Sequence, residues 1–306
     1  MVNRIRSLGA KKLSYASRII LINSVLNTLY SYWAGIFLIP KAVIKIIEAI
    51  CRNFLWEGSS YYHRVPLIAW EKVTLPKNEG GLGIKKAETL NVATVAKLVD
   101  WIYGKADRLW KSICNVKEKM KLAYVHDQWS PDPNGYSVKH GYEWLRYRQN
   151  KQDWYTVVWN NWNVAKHAVI TWLAMNNGLN VREKLFKIAE TVEHLFFNCD
   201  YSKKVLQYVE NWCGFRIDVS MASSGRSSLK AGVHSLTWTA CYYYIWYQRN
   251  NARLNATLLR PDKVVESVRE EAMRRIRLMI GKNMSRGDKE WLRRWGLVPT
   301  ANQSAN

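Results

Sequence analysis

His194 and Cys199 lie in the run Glu190-Thr191-Val192-Glu193-His194-Leu195-Phe196-Phe197-Asn198-Cys199, with Tyr201-Ser202 just beyond. An imidazole nitrogen and a thiolate sulfur at this spacing are two of the four ligands that a small tetrahedral zinc site needs. A Cys-x-x-Cys pair would complete the set, but none occurs anywhere in the sequence, and Leu185-Phe186-Lys187-Ile188-Ala189 runs directly into Glu190. The reading is a remnant half-site. Two ligands rarely hold a structural zinc, so no cofactor is expected, zinc being the one candidate.

Other chemistry is sparse. There is no His-Glu-x-x-His word and no Gly-x-Ser-x-Gly elbow. The run Glu79-Gly80-Gly81-Leu82-Gly83-Ile84 lacks the Lys-Ser/Thr of a phosphate-cradling loop and reads as a tight turn. His167, next to Lys166, reads as a surface residue. Glu270 and Arg274 are spaced for a helical i,i+4 ion pair.

Charge gives the broadest indication of partners. Lys+Arg number 46 against Asp+Glu 24, a net charge of +22. That surplus points to a polyanion, most often nucleic acid. The candidate phosphate contacts are Arg4, Arg6, Lys11, Lys12 and Arg18 near the N-terminus, and Arg274, Arg275 and Arg277 near the C-terminus. Five scattered cysteines, Cys51, Cys114, Cys199, Cys213 and Cys241, do not suggest a disulfide framework and fit a reduced compartment, nuclear or cytoplasmic.

The elements that must position these residues are helical. The uncharged stretch from Ile19 to Pro40 carries a polar stripe of Asn23, Ser24, Asn27, Thr28 and Ser31 opposite an apolar face of Ile22, Val25, Leu26, Leu29 and Trp33. A one-sided helix of this kind packs on protein, so no membrane span is expected; left uncovered, the face would seek a partner chain or self-associate. Pro40 ends that helix and opens the next, with Val43, Ile46, Ile47, Ile50 and Phe54 in phase, stopped by Gly58. Helical periodicity returns over 89–103, and again from Tyr201 to Cys213 with Gly214 as its stop. Tyr136-Ser137-Val138-Lys139 reads as a short strand-like piece. Pro261 opens a basic helix through Met279, and from Ser285 the tail is polar and reads as flexible. Sixteen tryptophans read chiefly as packing residues.

Several of these words agree on one family. Leu13-Ser14-Tyr15-Ala16-Ser17-Arg18, Ser24-Val25-Leu26, Tyr32-Trp33, Cys51-Arg52-Asn53-Phe54-Leu55-Trp56-Glu57-Gly58 and Pro76-Lys77-Asn78-Glu79-Gly80-Gly81-Leu82-Gly83-Ile84, with Trp70 and Asn91, resemble the region after the reverse transcriptase palm in plant non-LTR, LINE-type retroelement polyproteins. A second block resembles the reverse transcriptase zinc-binding domain. It contains Tyr136-Ser137-Val138-Lys139, Gly141-Tyr142, Trp154, Val158-Trp159, Lys166-His167, Trp172-Leu173-Ala174 and the half-site.

The resemblance implies a mainly α fold: a thumb-like helical bundle, a small, mostly helical zinc-binding-like domain with short strand pieces, then C-terminal helices. It implies thumb/connection helices over 1–84, a connector over 85–130, a degenerate zinc-binding-like domain over 131–218, a linker over 219–232, basic and aromatic helices over 233–284 and a flexible tail over 285–306. It also implies polymerase chemistry resting on paired palm aspartates, and no Asp-Asp pair occurs here. The expectation is a truncated, catalytically inactive fragment with residual non-specific affinity for RNA or DNA. A scaffold or a relic is the alternative, and a subunit acting in trans with a palm from another copy is the most remote reading.

Overall fold

The computed structural model describes residues 2–7, 13–59, 65–105, 137–180, 191–217, 229–279, 286–293 and 295, and every regular element among them is a helix. The mainly α reading therefore holds, but the strand-like piece does not. Val138 and Lys139 open a helix, α7 (Val138–Leu145), whose Gly141 and Tyr142 are buried. The alternation over 136–139 was too short to specify a strand without a partner to pair with. The expected boundary between the connector and the zinc-binding-like domain, at 130/131, lies outside the described residues. Contacts divide the chain into two compact units, Met1–Asn150 and Lys151–Asn306.

The first unit contains α1 (Val2–Ser7), α2 (Tyr15–Leu21), α3 (Thr28–Ala34), α4 (Lys41–Glu57), α5 (Trp70–Val73), α6 (Ala87–Lys105) and α7. Between α2 and α3 the chain widens into a π-turn, Ile22–Leu26, closed by Asn27 N–H donating to the Ile22 carbonyl at 2.9 Å. The wide turn changes the phase of the helix. Ile22, Leu26, Tyr30 and Ala34 are buried, while Leu29 and Trp33 of the expected apolar face are exposed. Asn27, from the expected polar stripe, is buried as well. Tyr30 and Ala34 pack against Ile44 and Ile47 of α4 and Ala87 of α6.

Polar side chains tie these helices together. Arg18 is buried, and its Nη1 donates to the Leu55 carbonyl at 3.0 Å, near the C-terminal end of α4, where main-chain carbonyls lack helical partners. Asn91 is 2% exposed; its amide donates to the Ala34 and Phe37 carbonyls at 2.9 and 3.0 Å and accepts from Ile39 N–H at 2.8 Å. One side chain thereby satisfies three backbone groups at the end of α3.

The glycine run is the expected turn. Gly80 and Gly83 sit at φ 89° and 70°, and a Cβ on Gly81 would lie 2.0 Å from the Leu75 carbonyl oxygen. Glu79 is buried there and takes a two-pronged salt bridge from Arg146 at 2.6 and 2.7 Å, plus Gln149 N–H at 2.9 Å. Tyr142 Oη accepts Lys86 N–H at 2.9 Å, so residues 137–150 pack into the first unit on α6. The division thus falls inside the stretch over 131–218 that the sequence treats as one domain.

The second unit contains α8 (Tyr155–Val158), α9 (Ala165–Met175), α10 (Asp200–Cys213), α11 (Leu229–Asn255), α12 (Pro261–Met279) and α13 (Arg286–Arg293). α11 is its central element. Gly232 through Tyr242 are buried on every face, as expected of a helix surrounded by others. α9 and α12 pack on it, and α10 packs on α12. α12 presents Val264, Val268, Ala272 and Ile276 inward at a spacing of four. The tail is not wholly loose: Leu292 of α13 is fully buried beside Val233, Leu236, Ala272 and Ile276, with Trp291 and Trp295 packed around it. Among the described residues no helix is long and apolar enough to cross a membrane.

Candidate nucleic-acid interface

Positive charge is divided almost evenly between the units. Residues 1–150 hold 23 Lys and Arg against 11 Asp and Glu, and residues 151–306 hold 23 against 13. The individual candidates fare differently. Lys11 and Lys12, and the side chains of Arg4 and Arg6, lie outside the described residues. Arg18 is a correction: its buried guanidinium serves α4, and burial draws its pKa below the usual value. Arg275 is a second. Its Nε and Nη2 donate to the Trp162 and Asn161 carbonyls at 3.0 and 2.9 Å, so it braces α12 against the 160–163 turn.

Arg274 and Arg277 remain on the surface. The Arg274 side chain is 61% exposed and pairs with Glu271, one turn back, rather than with Glu270 as the spacing suggested. Arg277, three residues on, shares that face. Acidic residues fill the first turns of α12 and arginines the last, a distribution that also suits the helix dipole.

Around the His167 and Tyr244 rings, on which Arg274 acts, the fold assembles residues that periodicity did not single out. Lys166 stands in the first turn of α9, where the helix dipole disfavours a cation. Its ammonium lies over the ring of Tyr243 at 4.7 Å, a cation–π contact that offsets this. Tyr243 is parallel to Tyr247 one turn along α11, with centroids 6.1 Å apart and planes at 14°. Tyr247 is 47% exposed. Arg249 lies 5.1 Å over the Trp246 ring on the same helix. The local signal was the Tyr243/Tyr247 i,i+4 spacing; pairing with Lys166 across helices leaves no trace in periodicity.

His167 corrects another expectation. It is fully buried, with its ring 4.4 Å from Tyr243 and 5.8 Å from Tyr244. Neither ring nitrogen has a hydrogen-bond partner among the described residues. Burial, reinforced by the positive charges of Lys166 and Arg274, pushes its pKa down to about 3. The side chain points inward because α9 lays this face on α11, so it is held as a neutral ring.

The half-site is a short π-turn, His194–Asn198, in which Cys199 N–H donates to the His194 carbonyl at 2.8 Å. His194 is exposed and Cys199 partly so. No group of three or more His, Cys, Asp or Glu side chains able to hold a metal ion occurs among the described residues. The donors in view therefore do not fit a four-ligand structural zinc. Packing holds the turn. Leu195 and Phe196 are buried, and Phe196 stacks on Tyr242 at 4.2 Å, itself 4.6 Å from Trp238. Ser202 Oγ donates to the Leu195 carbonyl at 2.6 Å. Cys51, Cys199, Cys213 and Cys241 are free thiols.

Residues 136–205 match the family model described as zinc-binding in reverse transcriptase. The chain is retroelement-related. A putative ribonuclease H protein of Arabidopsis thaliana is 28% identical to it over 117 residues, 38% of this chain and 18% of that relative. The match therefore covers just under a fifth of the relative's length. No solved structure matches. The matched stretch contains Lys166 and the whole half-site, His194 and Cys199, while Tyr243, Tyr247, Arg274 and Arg277 lie beyond it.

Proposed function

We propose that the chain is a catalytically inactive piece of a plant LINE-type retroelement reverse transcriptase polyprotein that binds RNA or DNA without sequence preference, in the nucleus or cytoplasm. The observation that carries this reading is the charge: +22 in all, shared by both units, with Arg274 and Arg277 exposed on α12 and Lys166 over a row of tyrosines on α11. A catalytic role would need clustered carboxylates to hold metal ions, and the sequence has no paired aspartates. Purified protein given Mg²⁺ and a primed template is expected to extend nothing.

The test of binding is a titration of labelled single-stranded RNA and duplex DNA at two salt concentrations. Each neutralised phosphate contributes about −0.9 to the slope of log K against log salt on duplex. Four contacts would weaken binding by roughly a hundredfold for a fourfold rise in salt. Absence of binding at low salt, or a flat response to salt, would overturn the reading.

One observation favours a second role. Leu29, Tyr32, Trp33, Ile36 and Phe37 are each more than 40% exposed on and just after α3. An apolar face of this kind suits a protein partner or a second copy. Sedimentation velocity across a range of concentrations is expected to show association that Trp33→Ser weakens; a monomer at every concentration would argue for the nucleic-acid role alone.

A further inference from the structure

We propose that Tyr247 is a stacking platform for an unpaired base, so that the interface on the second unit takes single-stranded nucleic acid in preference to duplex; this rests on the nucleic-acid reading above. The two tyrosines of the row have different surroundings. Tyr243 is pinned: Lys166 lies over its ring at 4.7 Å, His167 packs at 4.4 Å and Tyr244 meets it edge-on at 5.3 Å. Tyr247 is the next ring along the same face of α11, parallel to Tyr243 and 47% exposed. A large ring held on a rigid helix beside a fixed neighbour loses little freedom when a ligand stacks on it.

The chemistry of the surroundings selects the ligand. An apolar peptide would need an apolar rim, whereas Tyr247 shares α11 with Arg249 and Arg253. Lys166 lies over Tyr243, the ring next to Tyr247, and Arg274, paired with Glu271, acts on the His167 and Tyr244 rings that pack against Tyr243. Cations beside an exposed aromatic face are what a single strand requires: arginines and lysine for the phosphates, a ring for the base. In a duplex the base faces are already covered by their neighbours, so only the phosphate contacts are available to it. Stacking on tyrosine needs no particular base, which agrees with binding that lacks sequence preference.

The full-length protein and three variants, Tyr247→Ala, Tyr247→Phe and Arg277→Gln, can be titrated against a labelled oligodeoxythymidylate and a duplex of equal length. Tyr247→Ala is expected to weaken the single-strand complex by roughly five- to a hundredfold with an unchanged salt slope. It should leave the duplex complex as it was. Tyr247→Phe should behave as the natural protein, since the ring remains. Arg277→Gln should weaken both complexes and reduce the duplex salt slope by about 1. Unchanged single-strand binding by Tyr247→Ala, or an equal loss on both ligands, overturns the stacking role while leaving general binding intact. Failure of the natural protein to bind either ligand at low salt overturns both. Circular dichroism of each variant checks that the fold is kept, as an exposed side chain should allow.

Discussion

Glu79→Ala is expected to lower the stability of the first unit by about 3–5 kcal/mol, the cost of stranding a buried charge whose partner has been removed. The Glu79 and Arg146 side chains are 7% and 12% exposed, and the guanidinium meets both carboxylate oxygens. Arg146 would retain the Tyr147 carbonyl at 3.1 Å and Glu143, whose side chain is 47% exposed, but no buried carboxylate. Gln149 N–H would lose its acceptor too. Urea unfolding followed by circular dichroism, with the two units treated as separate transitions, reads the loss. Adding Arg146→Met to Glu79→Ala should restore part of it, because no charge is then left unpaired. The bond to Arg146 holds the Glu79 carboxyl below the usual glutamate range. Its contribution is therefore present above the unfolded glutamate pKa and is lost as pH falls through the folded value. A change within about 0.5 kcal/mol for the single variant would place the pair among ordinary surface bridges.

Acid is expected to unfold the second unit through His167. The folded pKa of about 3 lies below the ordinary value of 6.5, so the unfolded chain takes up the proton first. Stability from this ring is complete above pH 6.5 and declines as pH falls toward 3, by up to about 1.4 kcal/mol for each pH unit. Lys166 and Arg274 oppose the added proton, and Tyr243 and Tyr244 offer ring faces rather than a counter-charge. His167→Phe keeps an aromatic ring in the same place and removes the titration. Its stability should stay flatter than that of the natural protein between pH 6.5 and 4. Parallel pH profiles for the two would show that the ring is hydrated or paired in solution.

The sequence declares some elements and conceals others, for reasons that differ residue by residue. α12 runs from Pro261 to Met279, the bounds its proline and its four-residue apolar spacing predict, and Gly58 and Gly214 end their helices in the left-handed conformation. These are local signals. The face of the 15–34 region was misjudged because a π-turn at Ile22–Leu26 shifts the helix phase, which an α-helical period cannot anticipate. α13 escaped because a single buried leucine amid charged neighbours carries too little pattern. At the candidate interface, exposed Arg274 and Arg277 were legible as a basic run. The commitment of Arg18 and Arg275 to backbone carbonyls was not, since charge counts do not distinguish a solvated cation from one turned inward. Lys166 joins Tyr243 across 77 positions of chain, a relation made only by packing.

The stretch that resembles a reverse transcriptase zinc-binding module does not coincide with a folding unit. Residues 137–150 are riveted into the first unit through Arg146 and Tyr142, and the remainder up to 205 belongs to the second. Excising 136–205 as an autonomous cassette would expose the underside of α6, orphan Glu79 and remove α9 from the α11 it encloses. Transplanted to another protein, the cassette would arrive without its foundations; recombination that preserves a working fold has its natural seam beside Asn150 instead.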